Sequence, residues 1–383
     1  MKIAFDAKRI YQNRTGLGNY SRTLVSSLSD FFPQHDYYLY APKITGLFNS
    51  AAYPNLHEKL PHDFPSTLFK SLWRSKRIIK DLINDNIDIY HGLSHEIPFG
   101  IQNSPIRSIV TIHDLIFERY PHQYKPIDVH IYRRKFLNAC KNSNTIIAIS
   151  EQTKKDIVDY YGIEERKIKV CYQSCDAAFF QEVNSIDKKA IQKKYALPEK
   201  FFLYVGSVIE RKNLLGICKA MKHMDRNTLI PLVVIGSGKK YYQEIKDYIN
   251  KNNLEKYIIF LSEHNKANPI PFHDFPAIYQ SAAAMIYPSV FEGFGIPILE
   301  SMASKVPVIT SNLSCMPEVG GDAAIYVNPY HAEEIANAMN LIISNKIDAA
   351  ELVAKGWNQA KKFEAKKCAE AVFNEYQNLH HAI

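Results

Sequence analysis

Short apolar runs alternate with helix-like stretches along this chain, and the series starts twice. The apolar runs of the first half are residues 2–5, 37–40, 87–91, 108–112 and 145–149. Those of the second half are residues 201–205, 231–235, 258–261, 284–287, 307–310 and 324–327. Helical patterns such as residues 19–31 and 66–84 lie between them. This alternation is typical of parallel sheets covered by helices on both faces, so it predicts an α/β protein with two doubly wound sheets.

A polar stretch at residues 173–187 separates the two series and is interpreted as a linker. The chain has 383 residues, which suits two domains of about 150–200 residues each. We predict a Rossmann-like domain over residues 1–175, a second one over 188–359, and a C-terminal helix over 360–383 that packs back towards the first domain. Ligands of such sheets bind outside the carboxyl ends of the strands, so the cleft between the halves is the expected site.

The composition narrows the class of protein. Hydrophobic residues make up 46% of the chain and charged residues 22%, as in globular proteins. No apolar stretch approaches the roughly 18 residues of a membrane span, and Asp6 interrupts the first apolar run, which we interpret as a strand and not as a signal peptide. Six cysteines without a zinc-site spacing indicate reduced thiols in a cytoplasmic protein.

The strongest motif is the string YPSVFEGFGIPILESMA, which follows a predicted strand and opens a predicted helix. Gly293 and Gly295 allow the backbone to approach a ligand closely, and the N–H groups of a helix start can bind phosphate. A carboxylate accepts two hydrogen bonds from a vicinal diol, so Glu292 and Glu300 are each candidates for holding a ribose or a hexose. The alternative is a glycine-rich turn whose glutamates interact only with the helix dipole.

A second cluster follows the predicted strand 201–205. Gly206 ends the strand, and Arg211 and Lys212 lie in the loop beyond it. Fixed cations and N–H dipoles in such a loop can stabilise a negatively charged ligand such as a phosphate. The alternative is a pair of solvated surface cations, which is less consistent with a loop that follows a glycine-ended strand.

Gly16 and Gly18 lie between the first predicted strand and the first predicted helix. The spacing suggests a dinucleotide-binding fingerprint, but Ser21 stands where the third glycine would be needed.

His113 and Asp114 follow the predicted strand 108–112. A lone histidine is more often a packed or surface residue than a catalytic group, and Asp114 is interpreted as structural. Ser150 begins a predicted helix and is expected to cap it.

These motifs resemble glycosyltransferase family four, whose members have the GT-B fold of two facing Rossmann-like domains. The string around Glu292 and Glu300 is similar to the two-glutamate signature of that family. The resemblance continues through VPVITS and PEVGGDAA, covers nearly the whole chain, and is most specific over residues 203–328. The family is retaining and metal-independent, so the resemblance implies a nucleotide-sugar co-substrate, no cofactor and no metal site. The sequence contains no Asp-x-Asp motif, which counts against the metal-dependent class.

The resemblance also implies roles for the candidate residues. Glu300 would hold the nucleotide ribose, Glu292 would meet the donor sugar, and His113 would contact that sugar near its reacting face. Arg211 and Lys212 match the diphosphate-binding pair of the family. The predicted catalytic residues are therefore His113 and Glu292, and the predicted donor-binding residues are Gly16, Gly18, Gly206, Arg211, Lys212, Gly293, Phe294, Gly295, Ile296 and Glu300.

The implied reaction is transfer of a hexosyl group from a nucleoside-diphosphate sugar to a hydroxyl of a glycan or glycolipid, in surface polysaccharide synthesis. Retention with an α-linked donor implies an α-linkage. Residues 111–115 and 149–157 are similar to bacterial mannosyltransferases, which favours a mannosyl donor. The alternatives are a sugar-nucleotide epimerase on the same fold and a non-catalytic sugar-nucleotide-binding protein. We expect no nucleic-acid partner.

Two departures from the family pattern stand out. Lys305 takes the place of a glycine after the helix that holds Glu300, where glycine would allow a left-handed cap at lower cost. Residues 262–275 form a longer and more proline-rich loop than in relatives, in the region where the nucleobase lies.

The formal net charge of +8 suits phosphate-bearing ligands or an anionic membrane surface, although many lysine-rich proteins carry as much. Residues 64–83 mix apolar and basic side chains at helical spacing. The pattern indicates either a helix that touches the cytoplasmic membrane face or, more commonly, a core-facing helix with a solvated cationic side.

Overall fold

The computed structural model describes residues 1–264 and 270–381. Residues 265–269 of the predicted nucleobase loop lie outside the described residues. The chain divides into two compact units. Unit 1 consists of Met1–Cys175 and the C-terminal segment that starts at Phe363, and unit 2 is Asp176–Lys362.

Unit 1 is built on a seven-stranded sheet in which every pair of neighbouring strands is parallel. Its strands are β1 Lys2–Asp6, β2 Asp36–Tyr40, β3 Leu56–Lys59, β4 Ile89–Gly92, β5 Arg107–Ile112, β6 Thr145–Ala148 and β7 Ile168–Val170. The order is β3-β2-β1-β4-β5-β6-β7, so the direction of winding reverses between β1 and β4. Chain reversal of this kind leaves a crevice at the carboxyl ends of those two strands.

Unit 2 repeats the plan with six parallel strands in the order β10-β9-β8-β11-β12-β13. These strands are β8 Phe202–Val205, β9 Leu232–Ile235, β10 Ile258–Phe260, β11 Ala284–Tyr287, β12 Val308–Ser311 and β13 Ala324–Val327. The winding reverses between β8 and β11. The α/β prediction of two Rossmann-like sheets is therefore confirmed.

Helices cover the faces of both sheets. Those of unit 1 are Lys8–Gln12, Gly16–Phe31, Phe64–Leu68, Lys70–Leu72, Ile78–Asn84, Ile116–Arg119, Pro126–Asn142, Glu151–Tyr161 and Ala365–His381, with a π-helical turn at Trp73–Arg77. Those of unit 2 are Ser185–Lys194, Leu214–His223, Lys240–Lys251, Leu261–His264, Phe275–Gln280, Ile296–Ala303, Met316–Gly320, Ala332–Ile343 and Ala349–Ala360. Short 3₁₀ turns lie at Ser50–Ala52, Ile101–Asn103, Pro121–Gln123, Glu165–Lys167, Ala177–Phe180, Glu210–Lys212, Phe272–Asp274 and Lys361–Phe363.

The helix Ala365–His381 packs inside unit 1 against the helix Gly16–Phe31. The ring of Phe373 stacks on Phe32 with centroids 3.9 Å apart, and the Tyr376 hydroxyl lies 2.6 Å from Nδ1 of His91. The last segment of the chain thus completes the core of the unit that contains its beginning.

Three details of the secondary structure differ from the sequence prediction. The helix expected over residues 66–84 is interrupted at Phe69 and by the π-helical turn. The helix expected from residue 19 already begins at Gly16, and a short helix, Lys8–Gln12, precedes it. The last helix begins at Ala365, after a separate helix has ended at Ala360.

Two other local features follow from backbone chemistry. Lys305 has φ +58°, so the left-handed conformation expected after the Glu300 helix is present although lysine, not glycine, occupies it. Ser150 caps the helix Glu151–Tyr161 as predicted, because its Oγ accepts the backbone N–H of Thr153 at 3.0 Å.

Candidate functional site

The loops after β8 and β11 contain most of the predicted donor-binding residues. These two strands are neighbours at the point where the winding of the unit 2 sheet reverses, so their loops border the same crevice. Gly206 follows β8 with φ +148°, a conformation that L side chains rarely adopt. The turn Glu210–Lys212 then brings Arg211 and Lys212 back towards β11.

The loop after β11 ends at Gly295, which has φ +101° and precedes the helix Ile296–Ala303. Pro297 occupies the first turn, where its missing N–H costs nothing. The unpaired N–H groups of a helix start favour an anion. The chain direction set by Gly295 therefore presents the start of this helix beside the Arg211 loop.

Glu292 forms ion pairs with both cations of the β8 loop. Its Oε2 lies 2.8 Å from Nη1 of Arg211, and its Oε1 lies 3.1 Å from Nζ of Lys212. Burial opposes ionisation of Glu292, but Lys212 and Arg211, with hydrogen bonds from Arg211 and Ser289, lower its pKa to about 2. The carboxylate is thus fully ionised at neutral pH, and this cluster of three charges has a net charge of one positive unit.

Two hydroxyl groups complete the surroundings of Glu292. Tyr287 and Ser289 each donate a 2.8 Å hydrogen bond to its Oε1. Tyr287 also accepts a hydrogen bond from Nζ of Lys212. The sequence analysis did not single out either residue, although both lie in the motif string, five and three positions before Glu292.

The backbone of the Glu292 loop is also held from β12. Ser314 Oγ donates to the carbonyl of Glu292 at 2.9 Å. The thiol of Cys315 lies 3.1 Å from the same carbonyl and 3.0 Å from that of Phe294. Arg211 donates to the carbonyl of Phe291. These contacts fix the carbonyl groups of the loop after β11, so the loop keeps one backbone conformation. A fixed conformation positions the loop for binding a ligand.

Glu300 lies in the middle of the helix Ile296–Ala303 and is buried. Its carboxylate accepts a 2.6 Å hydrogen bond from the hydroxyl of Tyr279, a residue that the sequence analysis missed. Burial raises the pKa of Glu300 to about 7, with Asp176 adding to the rise and Tyr279 and Lys212 opposing it. Glu292 and Glu300 therefore differ sharply in acidity although both are buried.

Gly16 and Gly18 lie in unit 1, in the first turn of the helix Gly16–Phe31. A Cβ on Gly18 would lie 1.9 Å from the carbonyl oxygen of Asn13, so no larger residue fits the present loop. A Cβ on Gly16 would meet no heavy atom within 4 Å. The need for glycine at position 18 is therefore explained by packing within this loop, whereas position 16 has no such constraint.

His113 follows β5 in unit 1 and is buried. Its Nε2 donates a 2.9 Å hydrogen bond to the carbonyl of Leu93, which leaves Nδ1 as the acceptor nitrogen of a neutral ring. The Tyr20 ring meets it edge-on at 4.6 Å. Burial lowers the pKa of His113 to about 4, with the Leu93 hydrogen bond opposing and Arg9 adding to the shift, so the imidazole is neutral at physiological pH.

Asp114 beside it accepts the backbone N–H of Ile116 at 3.1 Å, a local contact that fits the structural interpretation. Among the residues that the structure describes, no group of three or more His, Cys, Asp or Glu side chains is arranged to hold a metal ion. Within the same residues no helix is long and apolar enough to cross a membrane. Each of the six cysteines is a buried thiol.

The structure thus brings together Gly206, Arg211, Lys212, Glu292 and the helix start at Gly295 within unit 2. Glu300 lies farther along that helix, and its own hydroxyl partner is Tyr279. The remaining predicted residues, Gly16, Gly18 and His113, lie in unit 1.

Comparison with protein families matches almost the whole chain. The model described as "Glycosyltransferase Family 4" matches residues 14–179, and the model described as "Glycosyl transferases group 1" matches residues 187–361.

Two curated bacterial relatives support this assignment. The O-antigen chain mannosyltransferase B of Escherichia coli is 26% identical over 99% of this chain and 100% of its own length. The O-antigen chain mannosyltransferase RfbU of Salmonella typhimurium is 30% identical over 57% of this chain and 56% of its own length.

Among solved structures, Anabaena HepE in complex with UDP-glucose covers 99% of this chain and all of its own, with a TM-score of 0.75 at 13% identity. This likeness concerns the fold alone, and with the two parallel sheets it confirms the predicted GT-B fold class. From the two family models and the relatives we conclude that the chain is a glycosyltransferase, a member of family four.

Proposed function

We propose that the protein transfers a hexosyl group, with mannosyl preferred, from a nucleoside-diphosphate sugar to a hydroxyl of a glycan or glycolipid acceptor. The product would keep the α-configuration of the donor, and the reaction would serve surface polysaccharide synthesis. The observation that carries the proposal is the contact of Arg211 and Lys212 with Glu292 beside the helix start at Gly295.

The two cations and the helix start suit a diphosphate leaving group. Arg211 and Lys212 are largely buried, so their attraction for an anion is weakly screened by water. Their positions are fixed before any ligand arrives by Glu292, Tyr287 and the loop carbonyls. Preorganised positive charge of this kind stabilises the charge that develops on the phosphate oxygens without rearrangement during the reaction.

Glu300 is proposed to hold the nucleotide ribose. A carboxylate accepts hydrogen bonds from two neighbouring hydroxyls, and the pKa of about 7 means that such donors shift the group to its ionised form. The start of the same helix is proposed to receive the diphosphate, so one helix would contact two adjoining parts of the donor. Gly293, Phe294 and Gly295 of the preceding loop, with Ile296 at the helix start, are proposed as further donor contacts.

His113 is proposed to contact the donor sugar as a neutral imidazole, and Gly16 and Gly18 are kept as proposed donor contacts from unit 1. The hydrogen bond to Leu93 fixes which ring nitrogen carries the proton. A neutral, oriented ring supplies a hydrogen-bond acceptor to a sugar hydroxyl without adding a second positive charge near the developing oxocarbenium ion.

The proposed reaction needs no covalent intermediate on the enzyme. Glu292, the carboxylate assigned to the sugar, already binds two cations and two hydroxyl groups, which makes it a poor nucleophile. We therefore propose attack by the acceptor oxygen on the face that the diphosphate leaves. The bond from C1 to the phosphate oxygen breaks, the bond to the acceptor oxygen forms, and the acceptor proton passes to the departing diphosphate.

The preference for mannose rests on the two O-antigen mannosyltransferases among the relatives. The nucleotide base is less constrained, since HepE was solved with UDP-glucose. The buried thiols suit a cytoplasmic protein, which we propose as its location.

Thermal unfolding in the presence of GDP-mannose, GDP, UDP-glucose and UDP tests the donor. We expect the largest rise in Tm with GDP-mannose, because at equal concentration a ligand that binds more tightly stabilises the folded state more. Transfer of labelled mannose to a lipid-linked glycan fraction then tests the reaction. NMR of the donor without acceptor distinguishes the alternatives, since an epimerase would change the sugar and a binding protein would leave it intact in every assay.

A further inference from the structure

A short segment of unit 1 exposes large apolar side chains to solvent. Between residues 64 and 72, Phe64 is 80% exposed, Leu68 63%, Phe69 57% and Leu72 51%. We call these nine residues the 64–72 segment. Exposed apolar side chains are normal when scattered, but a contiguous group on a monomer marks an interaction surface.

The segment is firmly held by its neighbours. Asp63 caps its first helix by accepting the backbone N–H of Ser66 at 2.9 Å, and it also pairs with Arg77 at 2.7 Å. Directly after the segment, Trp73 is buried, and its indole N–H donates to Asp81 at 2.6 Å. The backbone on both sides of the segment is therefore held in place, while the apolar side chains of the segment are exposed to solvent.

The break in the predicted helix explains why these side chains are exposed. In the second half of the sequence pattern, Ile78 and Leu82 face the core, as in an ordinary amphipathic helix. The interruption at Phe69 and the π-helical turn Trp73–Arg77 give the first half a different orientation. In one continuous helix Leu68 and Leu82 would lie on nearly the same face. Such a helix could not bury Trp73, Ile78 and Leu82 while it exposes Leu68 and Leu72.

Positive charge surrounds the apolar group. Lys70, Lys76 and Lys80 are exposed, and none of them forms an ion pair with any residue that the structure describes. Arg74, by contrast, turns inward and binds Asp6 and Glu96. The lysines thus remain available to an external anion.

A neighbouring helix carries further exposed apolar side chains. The N–H of Phe99 donates to the carbonyl of Ser75 at 2.8 Å, and Arg134 of the helix Pro126–Asn142 lies over the Phe99 ring at 5.9 Å. On that helix Ile127 and Ile131 are exposed. Ile131 follows Ile127 by four residues, and Arg134 follows Ile131 by three. These spacings place the three side chains on one face of the helix.

We propose that the 64–72 segment, with the face formed by Ile127, Ile131 and Arg134, docks on an anionic lipid bilayer. The apolar side chains enter the interface between headgroups and acyl chains, and the lysines bind the anionic headgroups. A second copy of this chain is a poorer occupant, because a symmetric contact would set lysines against lysines.

Sedimentation of the full-length protein with phospholipid vesicles tests this surface. We expect binding to vesicles of phosphatidylcholine with phosphatidylglycerol, and weak binding to phosphatidylcholine alone. The variant with Phe64→Ser, Leu68→Ser and Phe69→Ser should lose affinity by about tenfold or more, since it removes the apolar contacts. Ile186→Ser, in unit 2, removes an apolar side chain that is 77% exposed, close to the 80% of Phe64, and should leave binding unchanged.

The charge contribution is tested separately. The variant with Lys70→Gln, Lys76→Gln and Lys80→Gln should bind the anionic vesicles more weakly than the wild type. Added salt should also weaken the binding of the wild type to these vesicles. Unfolding curves that coincide with those of the wild type show that the variants are folded.

Equal binding by the serine variant and the wild type would overturn the proposal, as would equal binding to neutral and anionic vesicles. A wild-type dimer in sedimentation velocity that becomes a monomer in the serine variant would assign the surface to a second copy of the chain. All of these assays are run without nucleotide sugar. Failure of the proposed donor function would appear only in the thermal shifts with donors, so the two failures are distinguishable.

Discussion

The hydroxyl of Tyr279 lies 2.6 Å from Oε2 of Glu300, and this hydrogen bond joins the helix Phe275–Gln280 to the helix Ile296–Ala303. The hydroxyl favours the ionised carboxylate, while burial favours the protonated acid and prevails, so that the pKa rises to about 7. Glu300 is therefore about half ionised near neutral pH. Four testable consequences concern this residue and the other candidate site residues.

We expect Glu300 to make the ligand-free protein less stable as the pH rises towards 7. The unfolded carboxyl has its ordinary pKa, below that of the folded one, so the folded state binds the proton more tightly. The stabilisation is complete below about pH 4.5 and is lost as the pH rises through about 7. The free energy of unfolding of Glu300→Gln should change less between pH 5 and pH 7 than that of the wild type, a difference on the order of 1–3 kcal/mol. Denaturant unfolding at both pH values measures the free energy of unfolding. An equal change between pH 5 and pH 7 in the wild type and in Glu300→Gln would contradict the raised pKa of Glu300.

Substitution of Arg211 by alanine should weaken transition-state stabilisation by about 2–5 kcal/mol, the range for breaking a buried charge pair. The variant leaves Glu292 with Lys212 as its remaining cation and removes the donor to the Phe291 carbonyl. We expect kcat/KM for the nucleotide sugar to fall by about thirty-fold or more.

Lys222→Ala, an exposed cation on the next helix, is the matched control and should have wild-type kinetics. Unchanged donor affinity and turnover in Arg211→Ala would remove this residue from the proposed site.

His113→Ala should lower kcat more than it changes donor binding, if the imidazole contacts the sugar near its reacting face. The pKa of about 4 means that the ring is neutral across the usual assay range. The kcat profile of the wild type should therefore show no inflection from His113 between about pH 6 and pH 8. An inflection near pH 6.5 that disappears in His113→Ala would show that the ring is less buried than the structure indicates.

Gly16→Ala and Gly18→Ala should differ in their effects on stability. An added methyl group at position 18 meets the Asn13 carbonyl, whereas position 16 has open space. We expect Gly18→Ala to lower the Tm clearly and Gly16→Ala to preserve it. If Gly16→Ala is stable yet binds donor more weakly, the proposed close approach of a ligand to this glycine gains support. Equal Tm values for the two variants would contradict the loop geometry.

The central strands of both sheets could be predicted from the sequence, because buried parallel strands form short continuous apolar runs. The missed strands, β3 Leu56–Lys59 and β7 Ile168–Val170, are both at the edges of the unit 1 sheet. An edge strand has one partner and an exposed side, so polar residues such as Glu58 and Lys169 interrupt its apolar pattern. The edge strands β10 and β13 of unit 2 keep a continuous apolar run and were predicted, so what hides a strand in the sequence is the interrupted apolar pattern and not the edge position alone.

In the candidate site, the charged residues were predictable and their neutral partners were not. Arg211, Lys212 and Glu292 lie in loops that directly follow apolar runs, which identifies them in the sequence. Tyr279 reaches Glu300 from a different helix, and such a contact depends on tertiary packing that no local spacing encodes. The interruption of the helix at Phe69 was also unpredictable, since the apolar spacing continues across it.

The contacts of Glu292 have a consequence for selectivity. Glu292 neutralises one of the two positive charges of Arg211 and Lys212, which lowers the attraction of the site for small anions. A phosphate compound that binds the two cations competes with an internal carboxylate for them, so its binding energy is a difference between two sets of contacts. We therefore expect inorganic phosphate to bind more weakly than a ligand that also engages Glu300 and the helix start. Glu292 thus competes with any anionic ligand for Arg211 and Lys212, and it raises the affinity that a ligand needs in order to bind.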